Sequence, residues 1–192
     1  LTGIKAVMPD ILNRGLGGAY NGSTDISGYW DLGKGVANKE LFIRWSQLAT
    51  FVPLFRLHNS PFTKLKTPWS FDTKTLEIFK SVLALRKKAI PYMDTLWDSA
   101  TETGIPLWRP MWLEFPDDPR FRDESKQFML GDKVLVAPVV DRGRRKKSVI
   151  LPAGCWQYMP TKEIYEGEQK VRVDAPLTLL PYFFKCDDSP LG

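Results

Sequence analysis

Cysteine and histidine are scarce in this sequence. Its 192 residues contain two cysteines, Cys155 and Cys186, and one histidine, His58. Neither cysteine has another cysteine or a histidine close by in the sequence, so the spacing typical of a zinc site is absent. Two thiols are also too few for a disulfide scaffold, although these two could be paired or free. The sequence therefore predicts no metal site and leaves the redox compartment open.

Long apolar stretches are missing as well. Every hydrophobic segment is interrupted by charge or proline within about ten positions, whereas a membrane-spanning helix requires roughly 18 apolar residues. Residues 1–5 lack the charged start and apolar core of a signal peptide, and we expect the beginning of the protein to precede Leu1. The sequence therefore predicts no membrane span and leaves the localisation unknown.

Charge of one sign is only weakly in excess. Lysine and arginine number 27 against 22 aspartate and glutamate residues, which gives a net charge of +5. Much of this excess comes from the basic run at 142–147, which contains Gly143 and lies between two predicted strands. This pattern is typical of a solvated hairpin tip, so we predict no nucleic-acid partner.

The rest of the composition is that of a globular protein. Hydrophobic residues make up 43% of the chain and charged residues 26%, with seven tryptophans and eleven phenylalanines. Disordered proteins have far less hydrophobic content. A chain of this length forms one large domain or two small ones.

The first part of the chain alternates predicted helices with predicted strands. Apolar spacing predicts a helix that ends near Leu12, and Asn38 is placed to cap a second helix. A longer helix opens at Thr73, contains Pro91 as an expected kink and stops at Gly104. The predicted apolar stripe of this long helix contains Leu76, Phe79, Leu83, Ile90, Met93, Trp97 and Ala100. The predicted strands are 19–26 and 51–55.

Short predicted strands separated by turn residues fill the second part of the chain. They cover 134–140, 148–151, 156–159, 170–173 and 179–184. This change in character predicts an α/β part at 1–115 joined to an all-β part at 116–192.

Two polar residues follow predicted strands of the α/β part, where ligands gather in such folds. Asp25 ends the first strand, and His58 follows the second. Either could bind a ligand, but a capping aspartate and a hydrogen-bonded structural histidine also fit the sequence. Acidic residues at 117–118 and 123–124 suggest a metal or catalytic site, but the prolines around the first pair favour a loop and a helix cap.

Several stretches of the sequence resemble one enzyme family. Residues 25–30, Asp-Ile-Ser-Gly-Tyr-Trp, and residues 40–58, which end in Arg-Leu-His, resemble the late barrel strands of glycoside hydrolase family 31. Residues 86–96 resemble its last barrel helix, and 109–111 and 128–139 resemble the entry into its C-terminal β domain. The resemblance to this family of α-glucosidases and α-xylosidases covers nearly the whole chain.

The resemblance implies the last strands and helices of a (β/α)8 TIM barrel followed by an antiparallel β-sandwich domain. It also implies a retaining α-glycosidase that hydrolyses terminal α-linked sugars, uses no cofactor and takes an oligosaccharide or another α-glycoside as substrate. The family's nucleophile and acid/base lie on earlier barrel strands, so we expect them upstream of Leu1, with the N-terminal part of the barrel. This chain alone is expected to be inactive, and poorly stable unless something covers its open strand edges.

The same resemblance assigns roles to residues of a sugar-binding wall. Asp25 matches the aspartate that hydrogen-bonds hydroxyls of the non-reducing sugar, and His58 matches a histidine that binds the same ring. Arg56, two positions before His58, is expected to hold neighbouring carboxylates ionised, with a structural salt bridge as the alternative. Trp30 is expected to line the sugar pocket, with a buried core tryptophan as its alternative.

Tyr29 bears on whether the resemblance implies an α-glucosidase or a sulfoquinovosidase. Many α-glucosidases of the family carry Phe at the matching position, whereas sulfoquinovosidases, which cleave α-linked 6-sulfo-sugars, carry Tyr. Residues 39–41 and 175–177 also resemble that branch. A sulfoquinovosidase is therefore the alternative within the enzymes, whereas Tyr29 as a plain aromatic of the pocket wall fits an α-glucosidase. A third hypothesis is a non-catalytic carbohydrate-binding remnant that keeps Asp25 and His58.

Overall fold

The structure of the protein is a computed structural model that describes residues 2–29, 38–188 and 190–191. Within these ranges, a first region (2–103) of helices and two strands precedes a second region (104–191) that is mainly β. The elements of the first region are α1 (Thr2–Leu16), β1 (Ser23–Asp25), α2 (Lys39–Ala49), β2 (Leu54–Arg56), a 3-10 turn (Pro68–Ser70) and α3 (Thr73–Thr103). Those of the second are β3 (Trp108–Pro110), α4 (Met111–Glu114), a 3-10 turn (Pro119–Phe121), β4 (Phe128–Leu130), β5 (Val134–Val136), β6 (Lys146–Ile150), β7 (Cys155–Tyr158), β8 (Glu163–Glu166), β9 (Lys170–Asp174) and β10 (Tyr182–Lys185).

The first region is built around a parallel pair of strands. β1 and β2 pair from Ser23–Leu54 to Asp25–Arg56, and α2 connects them, so the predicted alternation of strand and helix is confirmed. Asn38 caps α2 as predicted, because its Oδ1 accepts a hydrogen bond of 3.0 Å from the backbone N–H of Leu41. Both strands are shorter than the sequence predicts, since pairing is limited to three residues in each.

The long helix α3 begins at Thr73 and ends before Gly104, as predicted. Asp72 accepts the N–H of Thr75 at 2.8 Å at its start, and Gly104 adopts a left-handed conformation (φ 75°) at its end. The predicted apolar stripe is wrong in part, because Leu83 and Ile90 are exposed while Ile78, Val82, Ala89 and Leu96 are buried. Both sets have helical spacing, so the periodicity could not choose which one packs against the core.

The second region contains a six-stranded antiparallel sheet in the order β3-β4-β5-β10-β7-β8. The strands predicted near β5, β6, β7, β9 and β10 are confirmed, whereas β3, β4 and β8 were missed. β3 and β4 have three residues each, which is too short for an alternating pattern to show. The division of the chain after residue 115 stays a prediction, and β3 lies before it.

A second, two-stranded sheet covers this large sheet. β6 pairs with β9 in antiparallel register. One buried cluster combines residues of both sheets: Leu135, Trp156 and Phe183 from the large sheet, and Val149, Val171 and Val173 from the small one. The apolar faces of the two sheets therefore enclose a common core, as in a β-sandwich.

The predicted hairpin tip at 142–147 is wrong. β5 and β6 belong to different sheets, so the segment between them crosses from one sheet to the other. Lys146 and Lys147 are part of β6, and the residues before them contact α2 of the first region. Charge and glycine mark a surface loop but do not reveal which strands it connects.

A buried arginine joins the two regions. Arg44 lies on α2, and burial lowers the pKa of its guanidinium to about 10, so it stays charged at neutral pH. Gln47, on the same helix, accepts one of its N–H groups at 3.0 Å. Its two terminal nitrogens also donate to four backbone carbonyls of the second region: Ala175 (2.6 Å), Arg144 (3.1 Å), Pro176 (3.2 Å) and Leu179 (3.3 Å). The first region thus binds the second through one charged group.

The two cysteines form a disulfide between β7 and the residue that follows β10. The sequence left this pairing open, and the structure decides it.

Asp118 caps the short 3-10 turn after it, as its Oδ1 accepts the N–H of Arg120 at 3.0 Å, which confirms the predicted cap. None of the helices in the described part of the chain is both long and apolar enough to cross a membrane.

Candidate functional site

The carboxyl ends of β1 and β2 bring the predicted site residues together. Asp25 is the last residue of β1 and lies opposite Arg56, the last residue of β2. The backbone N–H of Ile26 donates to the carbonyl of Arg56 at 3.0 Å, which continues the pairing by one bond. Because the two strands are parallel, their polar ends lie at the same edge of the sheet.

Asp25 is held by one cation and approached by a second group. Nε of Arg56 donates to Oδ1 of Asp25 at 2.6 Å. Nδ1 of His58 lies 3.8 Å from the same oxygen, which is too long for a hydrogen bond. The side chain of Asp25 is 14% exposed, whereas that of His58 is 52% exposed. The carboxylate is therefore fixed in place, while the imidazole is only partly covered.

Tyr29 lies beside the histidine. The centroids of the Tyr29 and His58 rings are 4.9 Å apart, and the ring planes are tilted by 53°. The carbonyl of Tyr29 accepts the N–H of Ser60 at 3.0 Å, which connects the loops that follow the two strands. Trp30, the fifth predicted residue, lies outside the described residues.

A buried lysine that the sequence did not reveal supports this loop. Lys66 is 4% exposed, and its ammonium donates to the carbonyls of Ser27 at 3.2 Å and Gly28 at 3.0 Å. Ser27 (φ 72°) and Gly28 (φ 82°) are both left-handed, a conformation that costs energy for serine. Lys66 therefore fixes the turn between Asp25 and Tyr29. It is distant in sequence and follows no periodic pattern, so no sequence signal pointed to it.

The chemistry of this cluster suits a polyhydroxylated ligand. A carboxylate accepts hydrogen bonds, a guanidinium donates them, and a neutral imidazole can do either. A sugar hydroxyl both donates and accepts, so paired groups of this kind can hold it. A metal is a poorer match, since no group of three or more His, Cys, Asp or Glu side chains in the described ranges could hold an ion.

Two family models match the chain in the order of its two regions. Residues 2–96 match the TIM-barrel domain of glycosyl hydrolases family 31, and residues 104–188 match the C-terminal domain of the same family. The chain belongs to glycoside hydrolase family 31. The resemblance noted from the sequence and the predicted fold, a barrel end followed by a β-sandwich, are both confirmed.

Relatives in family 31 include enzymes with different specificities. The chain is 34% identical over 182 residues to alpha-glucosidase 2 of Bacillus thermoamyloliquefaciens, covering 95% of this chain and 23% of the relative. It is 31% identical over 189 residues to the sulfoquinovosidase of Agrobacterium fabrum, covering 97% of this chain and 28% of the relative. These two identities are too close to choose a substrate for this member of the family.

Solved structures of family 31 proteins superpose on the chain. A dextranase of Flavobacterium johnsoniae, complexed with isomaltotriose, is 38% identical with a TM-score of 0.87 over 93% of this chain and 22% of that one. The chain thus spans about a fifth to a quarter of the length of such family 31 proteins.

Proposed function

We propose that this chain is part of a retaining α-glycosidase that hydrolyses terminal α-linked sugars. In this proposal Asp25 and His58 bind hydroxyls of the non-reducing sugar. The observation that carries it is the fixed carboxylate of Asp25 at the joined carboxyl ends of β1 and β2, with His58 only 3.8 Å away. The substrate is an oligosaccharide or another α-glycoside, in line with the oligosaccharide bound by the related dextranase.

The other site residues have supporting roles. Arg56 positions Asp25 through its 2.6 Å hydrogen bond and adds positive charge beside the carboxylate. Tyr29 and Trp30 form an aromatic wall, against which the apolar face of a sugar ring packs. Lys66 acts through the turn at Ser27 and Gly28 and touches no substrate.

The nucleophile and the acid/base are proposed to precede Leu1 in the intact protein. Retaining glycosidases place these two carboxyl groups about 5 Å apart, one on each side of the scissile bond. The folded 192-residue chain should therefore not hydrolyse aryl α-glucosides. Turnover by the purified chain would contradict this part of the proposal.

The sugar-binding role of Asp25 is tested in the intact protein that carries this chain. Asp25→Asn should lower kcat/KM for an aryl α-glucoside on the order of 100-fold, because charge-assisted hydrogen bonds to the sugar and to Arg56 are lost together. Asp10→Asn, which removes a carboxylate from the exposed face of α1, is the matched control. An unchanged kcat/KM in Asp25→Asn would rule out the proposed role.

A sulfoquinovosidase is the second candidate, and the position of Tyr29 favours testing it. The tyrosine lies against His58, where its hydroxyl could meet a substituent of the bound sugar. The intact protein should be assayed with aryl α-sulfoquinovoside and aryl α-glucoside, and again as Tyr29→Phe. A sulfoquinovosidase prefers the first substrate and loses that preference in the variant. An α-glucosidase prefers the second substrate and changes little.

A further inference from the structure

A basic cleft lies where β6 adjoins the segment that crosses between the two sheets. Its volume is about 460 Å³. Asp141 is the one carboxylate among the residues that line it. The cations that line it are Lys126, Arg144, Arg145, Lys146, Lys147 and Arg172. The cleft therefore concentrates much of the positive charge of the basic run in a concave surface.

The carboxylates near this cleft leave much of its charge unbalanced. The salt bridges around it are Arg145–Glu40 (2.7 Å), Lys146–Asp174 (3.3 Å) and Lys5–Asp141. In the described part of the chain, no salt bridge involves Lys126, Arg144, Lys147 or Arg172. Neighbouring cations repel one another, and an anion bound among them would remove that cost.

Lys147 is the least expected of these cations. It lies on the same face of β6 as the buried Val149 and pairs with the buried Val173 of β9. Strand alternation would place an apolar residue there. Its half-buried ammonium donates instead to the carbonyl of Lys126 at 2.7 Å. Burial lowers the pKa of Lys147 to about 8, although the charges of Glu124 and Asp141 act in the opposite direction. A further anion beside Lys147 would stabilise its charged form.

The adjoining segment already binds one oxyanion. The carboxylate of Glu40 accepts the backbone N–H of Gly143, with both oxygens 3.1 Å away, and the guanidinium of Arg145 at 2.7 Å. A backbone N–H and a guanidinium that converge on one group of oxygens are the usual donors of an anion site. The segment therefore offers the donors of an anion site, although Glu40 of α2 already occupies those of Gly143 and Arg145.

We propose that the cleft binds a phosphate or sulfate group, either as a free ion or as an ester on a sugar. A tetrahedral dianion offers more oxygens and more charge than a carboxylate, which suits four cations without salt-bridge partners. None of the lining residues belongs to the cluster around Asp25, so the proposal does not depend on the proposed glycosidase activity.

The test is a titration of the intact protein that carries this chain, labelled with 15N and deuterium and followed by NMR at constant ionic strength, set with sodium chloride. The three ligands are inorganic phosphate, glucose 6-phosphate and glucose. Phosphate and glucose 6-phosphate should cause saturable shifts of the amides of residues 143–148, and glucose should not. Equal affinity for the two phosphates identifies a site for the ion, whereas tighter binding of glucose 6-phosphate identifies a site for the ester.

Two variants and a matched control decide whether the cleft itself is responsible. Lys147→Gln and Arg144→Gln should each raise the Kd for phosphate about tenfold, since each removes a charge-assisted hydrogen bond. Arg144 is exposed, so its variant stays informative if Lys147→Gln disturbs the core. Lys87→Gln removes an equal charge from the exposed face of α3 and should leave the Kd unchanged. No saturable shift, or an equal loss in Lys87→Gln, would overturn the proposal.

Discussion

The two regions of the molecule enclose their apolar residues to different degrees. The second region has a six-stranded sheet and a smaller sheet that share a buried core. In the residues of the first region that the structure describes, the sheet has two parallel strands, and large apolar side chains of this region face solvent, with Phe62 88% and Trp69 70% exposed. Parallel sheets are normally covered on both faces. The first region therefore depends more on what lies against it, and the second region is one such support.

The contacts between the regions show how that support is given. Arg44 reaches carbonyls of the second region, as described above, and Nε1 of Trp108 donates to the carbonyl of Phe51 at 2.7 Å. Within the first region, the guanidinium of Arg86 donates hydrogen bonds to four carbonyls at and just after the end of α2: Ala49 (3.2 Å), Thr50 (3.0 Å), Val52 (2.6 Å) and Pro53 (2.9 Å). Two arginines, the buried Arg44 and the half-buried Arg86, each bonded to several carbonyls, thus add polar contacts where apolar packing is limited.

The largest effect is expected when Arg44 is replaced by methionine. Arg44→Met should lower the free energy of unfolding by about 3 to 5 kcal/mol, because several buried carbonyls lose their donor at once. Urea unfolding of the folded chain measures this. Arg122→Met, on an exposed arginine of the second region, should change the free energy by less than about 0.5 kcal/mol. A loss below about 1 kcal/mol in Arg44→Met would mean that the regions are held together by other contacts.

A smaller effect, limited to the second region, is expected from the disulfide. Cys155 and Cys186 are separated by 31 positions, and opening such a loop lowers the free energy of unfolding by about 3.5 kcal/mol. The double variant Cys155→Ser, Cys186→Ser and the wild-type chain in reducing agent should lose stability equally in urea unfolding. Hydrogen exchange should speed up in β7 and β10 more than in α2 or α3. Faster exchange in the helices alone would contradict the restriction of this effect to the second region.

The smallest effect is a pH dependence in the first region. Hydrogen bonds from Lys39, and then from Thr75, hold the pKa of Asp72 at about 2, below its ordinary value of 3.8. A lowered pKa in the folded state gives stability that is present above about pH 4 and is lost as the pH falls towards 2. The melting temperature of the wild-type chain should exceed that of Asp72→Asn at pH 6 and approach it near pH 2. A constant difference across this range would contradict the assignment.

Local signals in the sequence predicted the features that depend on a few neighbouring residues. Asn38 and Gly104 were found because capping chemistry is local. Asp25 and His58 were found because the ends of two strands could be located from the sequence, although their sugar-binding role came from the family resemblance and stays a proposal. In the structure Arg56 and His58 both approach the same oxygen of Asp25, Arg56 at 2.6 Å and His58 at 3.8 Å.

The features that were missed depend on residues far apart in the chain. Lys66 reaches the turn at Ser27 from 39 positions away, and the basic run connects two sheets rather than two paired strands. Arg44 interrupts the apolar face of α2, and its carbonyl partners lie 100 or more positions later in the chain. Single-sequence patterns cannot reveal such partners, because periodicity reports only on neighbours within one element.

The arrangement of Arg44 also bears on how this part of the protein can change during evolution. Family models divide the chain near residue 100, which suggests two units that could be exchanged between relatives. A guanidinium from one unit that fits a set of carbonyls in the other makes such exchange difficult, since a transplanted partner would have to present the same loops. Recombination at this boundary should therefore succeed only when both sides of the contact are inherited together.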